Sequence, residues 1–592
     1  MADKILNSFD VWVGAQGWKS KLRLRNVDNI SLDGIARLRE LILDLAVRGN
    51  LVSQVPTDEP ANLLLEKIKA ERYRLAGGDK QKKEETLTEK NDGEKLFDLP
   101  KGWIFVRFSD LILDAYTGLD KGKSLQSLDF KYPYFKMNNI LNEGGFDLSE
   151  MTHVDASATE VQKYSLSNND FLFNTRNSRE LVGKTCVIKG LNDEKIIYNN
   201  NILRVKFSQV SPDFIDVWFR CKTGKSLLDK IKSNTTNVCA IYQGKLFDFL
   251  CVVPPLAEQH RIVAKVDELM TLCDELEQQE TNHLKSHQLL VETLLGTLTQ
   301  AKDAAEFQTA WATLAQHFDD LFNTEDSIDQ LKQTILQLAV MGKLVPQDPK
   351  DESASVLLER IAKEKKILIE EGKIGNEALL SIINEDEKPF TLPKGWDWTR
   401  LGTVTDITAG ASFKSEDFNS SGGIKCIKIT NAGVGEFIET DDYLPESFIK
   451  KFSDYLVNEG DLVLALTRPY ISDGLKISIC PSSYHRSLLN QRVAAIRSIT
   501  KSLHHPYTFT FIRSPHVLKY YKSKFDEKSQ QPNMKMGDIT NLAFAICPLN
   551  EQIRIVDKID ELFALCDSLN ERITESQKVA NQMADSILAQ VV

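Results

Sequence analysis

Residues 254–276, PPLAEQHRIVAKVDELMTLCDEL, and residues 547–569, CPLNEQIRIVDKIDELFALCDSL, are two versions of one segment. Pro255 aligns with Pro548, Glu258 with Glu551, Gln259 with Gln552, Arg261 with Arg554, Asp267 with Asp560 and Cys273 with Cys566, always 293 residues apart. The same offset relates ILDLAVRGNLV at 42–52 to ILQLAVMGKLV at 335–345, and LPKGW at 99–103 to LPKGW at 392–396. An offset held across about half the chain marks two tandem copies of one unit, roughly 31–300 and 324–592. Two copies favour a closed pseudo-symmetric pair over a solenoid.

Each copy changes character along its length. Residues 33–47 space Ile35, Leu38, Leu41, Ile42 and Leu45 for one helical face, and Gly49 supplies a stop. A second helix covers about 61–76. Residues 79–95 are highly charged and read as a linker. From LPKGW to about 250, short β-rich runs such as FLFNT, TCVIKG and ILRVKF alternate with Asn, Gly and Ser clusters, which predicts a mixed α/β domain rich in strands. Residues 394–546 repeat that texture with little identity. The frames look alike and the interiors look different.

A long helix follows each interior, with Pro255 or Pro548 at its start. Ile262, Val266, Leu269, Cys273 and Leu276 keep a 4-3-4-3 spacing, turn polar through His283 and His287, and resume at Leu290 and Leu294. The second seam is Ile555, Ile559, Leu562, Cys566, Leu569, Ile573, Ala580, Met583 and Ile587. Such heptads predict coiled-coil packing, each long helix against the other, antiparallel. Residues 301–323 have no counterpart and read as a helical insertion. Residues 1–30, with Trp12, Trp18 and the basic KSKLRLR, read equally as a docking arm or a frayed end.

Composition narrows the function. Net charge is −11, but 101–250 and 394–546 each carry +3, leaving −17 on the helical remainder. The interiors can therefore approach phosphates while the helices stay acidic. No run of about 18 apolar residues predicts a membrane span, and no secretory layout opens the chain. The nine cysteines show no C-x-x-C or paired-histidine spacing, which favours reduced thiols in a cytoplasmic setting over disulfides or zinc. GLDKGKS at 118–124 has three residues between its glycines where a phosphate-binding loop needs four. No methyltransferase box appears, and Asp526-Glu527-Lys528 reads as a charged surface turn.

The combination of two variable domains entered through LPKGW, closed by P-x-x-EQ-x-R helices and joined by L-A-V-x-G-x-LV repeats, resembles the specificity (S) subunit of type I restriction–modification systems over nearly the whole chain. The resemblance implies an α+β fold: two mixed α/β target recognition domains with strand-rich cores, separated by long antiparallel coiled-coil helices in a pseudo-two-fold arrangement. The divisions are then 1–98 (helical region and linker), 99–254 (first recognition domain), 255–391 (central helices), 392–547 (second recognition domain) and 548–592 (closing helix). It implies a non-catalytic chain that binds double-stranded DNA, each domain reading half of a split asymmetric site, the helices acting as a ruler. Two modules on one face of a duplex sit about one helical turn apart, roughly 34–36 Å. Two methyltransferase (M) subunits would dock on the helices and restriction (R) subunits would join them. S-adenosylmethionine, ATP and Mg would belong to those partners, with no cofactor in this chain. The rival reading is a coiled-coil scaffold that never touches DNA.

Base edges are read by Arg, Asn and Gln, and phosphates are clamped by Lys, Arg and hydroxyls. Candidate contacts in the first domain are Lys121 and Lys123 in the basic loop, Lys136 and Asn138 beside Asn139, Asn174, Arg176 and Arg179 after the strand FLF, and Asn237 with Thr235 and Thr236. In the second domain they are Lys414, Lys428 and Asn431, Arg468 and Tyr470 after LVLAL, and Gln530 and Asn533 with Gln531.

Overall fold

The computed structural model describes residue 12 and residues 33–75, 96–233, 238–302, 304–372, 374, 380–471, 474–524 and 532–591. The candidates Asn237 and Gln530 lie outside these residues, as do Thr235, Thr236, Gln531, the linker 79–95, the basic stretch 19–25 and Asp526-Glu527-Lys528.

Six scaffold helices carry the frame: α1 Asp33–Val47, α2 Ala61–Leu75, α3 Leu256–Gln300, α4 Glu325–Val340, α5 Ala354–Glu370 and α6 Leu549–Val591. The described residues form two compact units. One runs to Asn282 and takes residues 577–591 of α6; the other is His283–Ser576. Each unit thus holds the start of one long helix and the end of the other, as antiparallel pairing requires.

Within each unit the repeated motifs prove to be one joint made twice. Helices α1 and α4 end in left-handed glycines, Gly49 (φ +73°) and Gly342 (φ +68°). Asn50 N donates to Leu45 O and Lys343 N to Leu338 O, both at 3.0 Å, the closure of a Schellman turn. LPKGW lies on those glycines: a Cβ on Gly49 would fall 2.4 Å from Pro100 Cγ, and one on Gly342 would fall 2.5 Å from Pro393 Cγ. The same turn caps the next helix, since Ala61 N donates to Gly102 O (2.9 Å) and Ala354 N to Gly395 O (2.8 Å).

The P-x-x-EQ-x-R residues complete the joint. Arg261 pairs with Asp58 (2.6 Å) and Arg554 with Asp351 (2.7 Å). Glu258 accepts from Trp103 Nε1 (3.0 Å), while Glu551 accepts from Gln347 Nε2 (3.1 Å). Buried Gln259 accepts from Ser211 N and donates to Pro254 O, both at 2.8 Å. Gln552 does the same with His504 N (2.9 Å) and Cys547 O (2.8 Å). Each glutamine therefore ties its long helix to the domain beside it.

That domain, or head, is held by a two-stranded entry–exit ribbon: Ile104–Arg107 pairs with Leu250–Val253, and Asp397–Arg400 with Ala543–Ile546. In the first head a four-stranded antiparallel sheet runs in the order Ile112–Thr117, Ile202–Phe207, Phe171–Asn174, Thr185–Val187. A second sheet orders Thr152–Val154, Tyr132–Phe135 and Ile197–Tyr198, the last two parallel. The second head repeats both. Its larger sheet is Thr405–Ala409, Val493–Ser498, Leu462–Ala465, Ile477–Ile479. Its other sheet contains Tyr443–Leu444, Ile424–Ile427, Ser487–Leu489 and Leu456–Val457. The two interiors, unlike in sequence, share one topology.

The helical seams hold with one correction each. Ile262, Val266, Leu269 and Cys273 are buried, as are Ile555, Ile559, Leu562, Cys566 and Leu569. Beyond His287, however, Val291, Leu295 and Leu298 are buried and Leu290 is exposed; near the end of α6, Ala584 is buried and Met583 exposed. A 3.6-residue period drifts from a heptad by about one position over a few heptads. The insertion is helical, with Phe307, Leu314 and Phe322 in the second unit's core. All nine cysteines are free and buried. No described helix is long and apolar enough to cross a membrane.

Candidate nucleic-acid interface

In each head the sheets bring five loops to one end. In the first head these follow Thr117, Phe135 and Asn174, precede Ile202, and include the segment 238–242. They are stitched together directly. Thr175 N donates to Asn201 O (2.8 Å), and Ile241 N to Thr175 O (3.0 Å). Asn199 N donates to Phe135 O (2.9 Å), and Leu119 N to Tyr198 O (2.9 Å). Lys136 Nζ reaches Gln126 Oε1 (3.2 Å), whose amide nitrogen holds Lys121 O (2.8 Å). In the second head Leu466 N donates to Arg492 O (2.9 Å), Met534 N to Leu466 O (2.7 Å), Asn490 N to Ile427 O (3.0 Å) and Ala411 N to Leu489 O (2.9 Å).

Framework residues recur here that the sequence comparison missed. Gly118 and Gly410 lie against backbone, where a Cβ would meet Tyr198 O at 2.2 Å and Asn490 O at 2.3 Å. Asn139 accepts from Lys136 N (2.9 Å) and donates to Asp147 O (2.9 Å); Asn431 accepts from Lys428 N (2.7 Å) and donates to Ile438 O (2.8 Å). Lys184 and Lys476 each donate to a loop carbonyl, that of Ile140 or Ile429. Burial pushes both ammonium pKa values down, and for Lys476 the nearby Arg468 adds to the shift. Asn199 and Asn490 hold the matching turns. These pairs lie 291 or 292 residues apart rather than 293.

Most of the predicted contacts reach this end, in different states. Lys123, Arg176, Arg468 and Asn138 are exposed, and the three cations have no side-chain partner among the described residues. Asn533 is exposed and bridges to Thr467; Tyr470 lies under Lys522 Nζ, 5.3 Å from its ring centre. Lys121 sits 3.5 Å from Glu160, Lys414 3.3 Å from Glu416, and Lys428 2.8 Å from Asp442. Arg179 is turned to Asp229 (3.3 Å) on the helix Lys222–Ile231. Asn174 and Asn431 are fully buried; Asn174 donates to Leu181 O (3.2 Å) and accepts from Arg176 N (3.2 Å). Both hold loops in shape, and neither offers an amide to a ligand in this conformation. Arg176 and Arg468 are not exact counterparts, because Arg176 pairs with Ala240 where Thr467 pairs with Asn533. The basic loop 118–124 leads into a three-residue 3-10 turn, Lys123–Leu125, which is no phosphate-binding helix start.

Two heads of one topology, each with a rim of unpartnered cations and amides over a fixed backbone, on a duplicated helical frame, define a two-headed recognition protein. The sequence matches the family described as type I restriction modification DNA specificity domain over residues 100–286 and 393–577, and the chain belongs to that family. It is 35% identical to the type I restriction enzyme EcoAI specificity subunit of Escherichia coli, and 31% identical to the EcoEI specificity subunit of the same species, with 98% of each chain covered in both cases. A solved chain from work on the complex assembly and conformational transition of the type I R-M system superposes with a TM-score of 0.50 at 18% identity, covering 84% of this chain and 98% of that one. That likeness bears on the fold.

Proposed function

We propose that each head reads one half of a split, asymmetric DNA sequence, and that the chain performs no chemistry itself. The observation that carries this is the matched rim: in both heads five loops converge and present arginines without intramolecular partners, Arg176 in one and Arg468 in the other. Arginine at a fixed position suits guanine edges and phosphates alike. The scaffold helices would receive two methyltransferase subunits, and through them restriction subunits. S-adenosylmethionine, ATP and Mg would act in those partners, in the cytoplasm.

The test is a gel-shift titration of the full chain, with its methyltransferase partner, on duplexes carrying the mapped target. Arg176→Ala and Arg468→Ala should each weaken cognate binding, by about five- to a hundredfold if the contact is to a base edge. Affinity should fall steeply as salt rises. Unchanged affinity of both variants at fixed salt would overturn the assignment.

A further inference from the structure

We infer that the turn 199–201 of the first head and its counterpart 490–492 of the second are base-reading positions, with Arg492 reading guanine and Asn201 reading adenine. This rests on the DNA-reading role proposed above and names where in each head discrimination arises.

The backbone of the turn is fixed in the same way twice. Ile202 N donates to Asn199 O and Val493 N to Asn490 O, both at 3.0 Å. Each turn presses on a glycine that leaves no room for a Cβ, Gly118 or Gly410. Its third residue holds the turn through the main chain, because Asn201 O and Arg492 O accept the bonds from Thr175 N and Leu466 N; the one side-chain contact at this position is a weak one, from half-buried Asn201 Nδ2 to Met137 Sδ at 3.7 Å. The side chain at that position is therefore free to differ between heads, and it does: asparagine in one, arginine in the other.

The difference falls on residue types that pair with base edges. Arg492 is exposed, with no side-chain partner among the described residues. Three acidic groups on the neighbouring loops are engaged elsewhere: Asp442 by Lys428 (2.8 Å) and Glu416 by Lys414 (3.3 Å), while Asp417 accepts from Lys414 N (3.0 Å). An unpartnered guanidinium on an overdetermined backbone presents its planar fork at low ordering cost, which suits the O6 and N7 acceptors of guanine. At the same place an asparagine amide matches N6 and N7 of adenine. Lys123 and Lys414, point charges on the outer loop, fit phosphate clamping instead.

The test uses the full chain and a duplex set in which each base pair of the mapped target is changed in turn. Wild type should discriminate at every specified position. Arg492→Ala and Arg492→Lys should both lose about five- to a hundredfold discrimination at a single G·C pair in one half-site and keep it elsewhere. Arg492→Lys should also retain the wild-type salt slope. Asn201→Ala should relax a single A·T pair in the other half. Discrimination retained at all positions by the variants would overturn the inference. So would uniform weakening across the set with a salt slope lower by about one, the mark of a phosphate contact. If wild type itself discriminates nowhere, the DNA-reading role fails, whatever residue 492 does.

Discussion

Replacing Gln259 by leucine isolates the joint between long helix and head. Leucine keeps nearly the same volume, so cavity formation is small. What changes is polar: Ser211 N and Pro254 O, both in buried surroundings, lose their partners together. An orphaned buried backbone group costs about 1–3 kcal/mol, so the pair should cost about 2–6 kcal/mol, less about 1 for the added apolar burial. Gln552→Leu should cost less, because His504 N lies in a partly exposed setting that water can reach. Gln259→Glu keeps an acceptor for Ser211 N but aims a carboxylate at Pro254 O. It should be worse than leucine at pH 7 and recover as the pH falls and the buried carboxyl takes up a proton. Chemical denaturation of the full chain measures the loss, and hydrogen exchange at the Ser211 amide locates it. An unfolding free energy within about 0.5 kcal/mol of wild type, with Ser211 still protected, would refute the argument.

Three further outcomes are expected. Gly342→Ala combines a left-handed backbone with a Cβ 2.5 Å from Pro393 Cγ, whereas Gly372→Ala meets the same backbone penalty (φ +67°) in open space. Thermal melts should rank Gly342→Ala as clearly more destabilising, with Gly372→Ala costing about 1–2 kcal/mol. Asn139→Ala should lower stability by about 1–3 kcal/mol, while Asn138→Ala, exposed one residue earlier, should leave the melt unchanged and alter only DNA binding. His516 packs edge-on against Phe390 at 5.7 Å, and burial, assisted by Lys519, pushes its pKa down to about 4. The fold requires the neutral ring, so its contribution is intact above about 6.5 and is lost as pH falls from there toward 4, by at most about 3 kcal/mol. His516→Phe should remove that part of the acid sensitivity, read as the difference between wild-type and variant melts at pH 7 and pH 4.5.

The frame was legible because its residues do the same work at the same spacing. Glycine at 49 and 342, tryptophan at 103 and 396, and glutamine at 259 and 552 each answer a steric or hydrogen-bonding demand that no other side chain meets there, so both copies show them. The helical faces were legible for a similar reason, apart from the drift that exposes Leu290 and Met583. The rim was legible by residue type but not by role. Asn174 and Asn431 have the composition of base readers, yet their amides close loops. Asn201 and Arg492 carry no motif, since only the folded chain shows that their carbonyls hold the rim while the Arg492 side chain has no partner among the described residues and that of Asn201 makes only a weak contact to Met137 Sδ.

The resemblance between the two interiors escaped the sequence because the register slips where the backbone can absorb a residue. Ile112 and Thr405 hold the 293 offset, but Asp114 and Asp406 are 292 apart. Between them the first head has a β-bulge at Leu113, which lodges one extra residue on the sheet. The next slip is at a hairpin: Ile140 bridges Phe146 where Ala432 bridges Phe437, a loop shorter by one. Beyond it Asp170 matches Asp461 at 291, Lys184 matches Lys476 at 292 and Asn199 matches Asn490 at 291 again, and the larger offset returns by Arg220 and Arg513. Each slip lies in a bulge or loop, and strand pairing resumes beyond each one, so the rim is held alike in both heads. A fixed-offset comparison therefore sees two unrelated interiors. Strand pairing shows one head used twice, its turns held in place by Gly118 and Gly410 while the side chains above them diverge. Independent change of the two rims needs that separation: a substitution at residue 492 alters the exposed surface and leaves the main-chain bonds of the turn beneath it in place, and one at residue 201 gives up only the weak contact to Met137 Sδ.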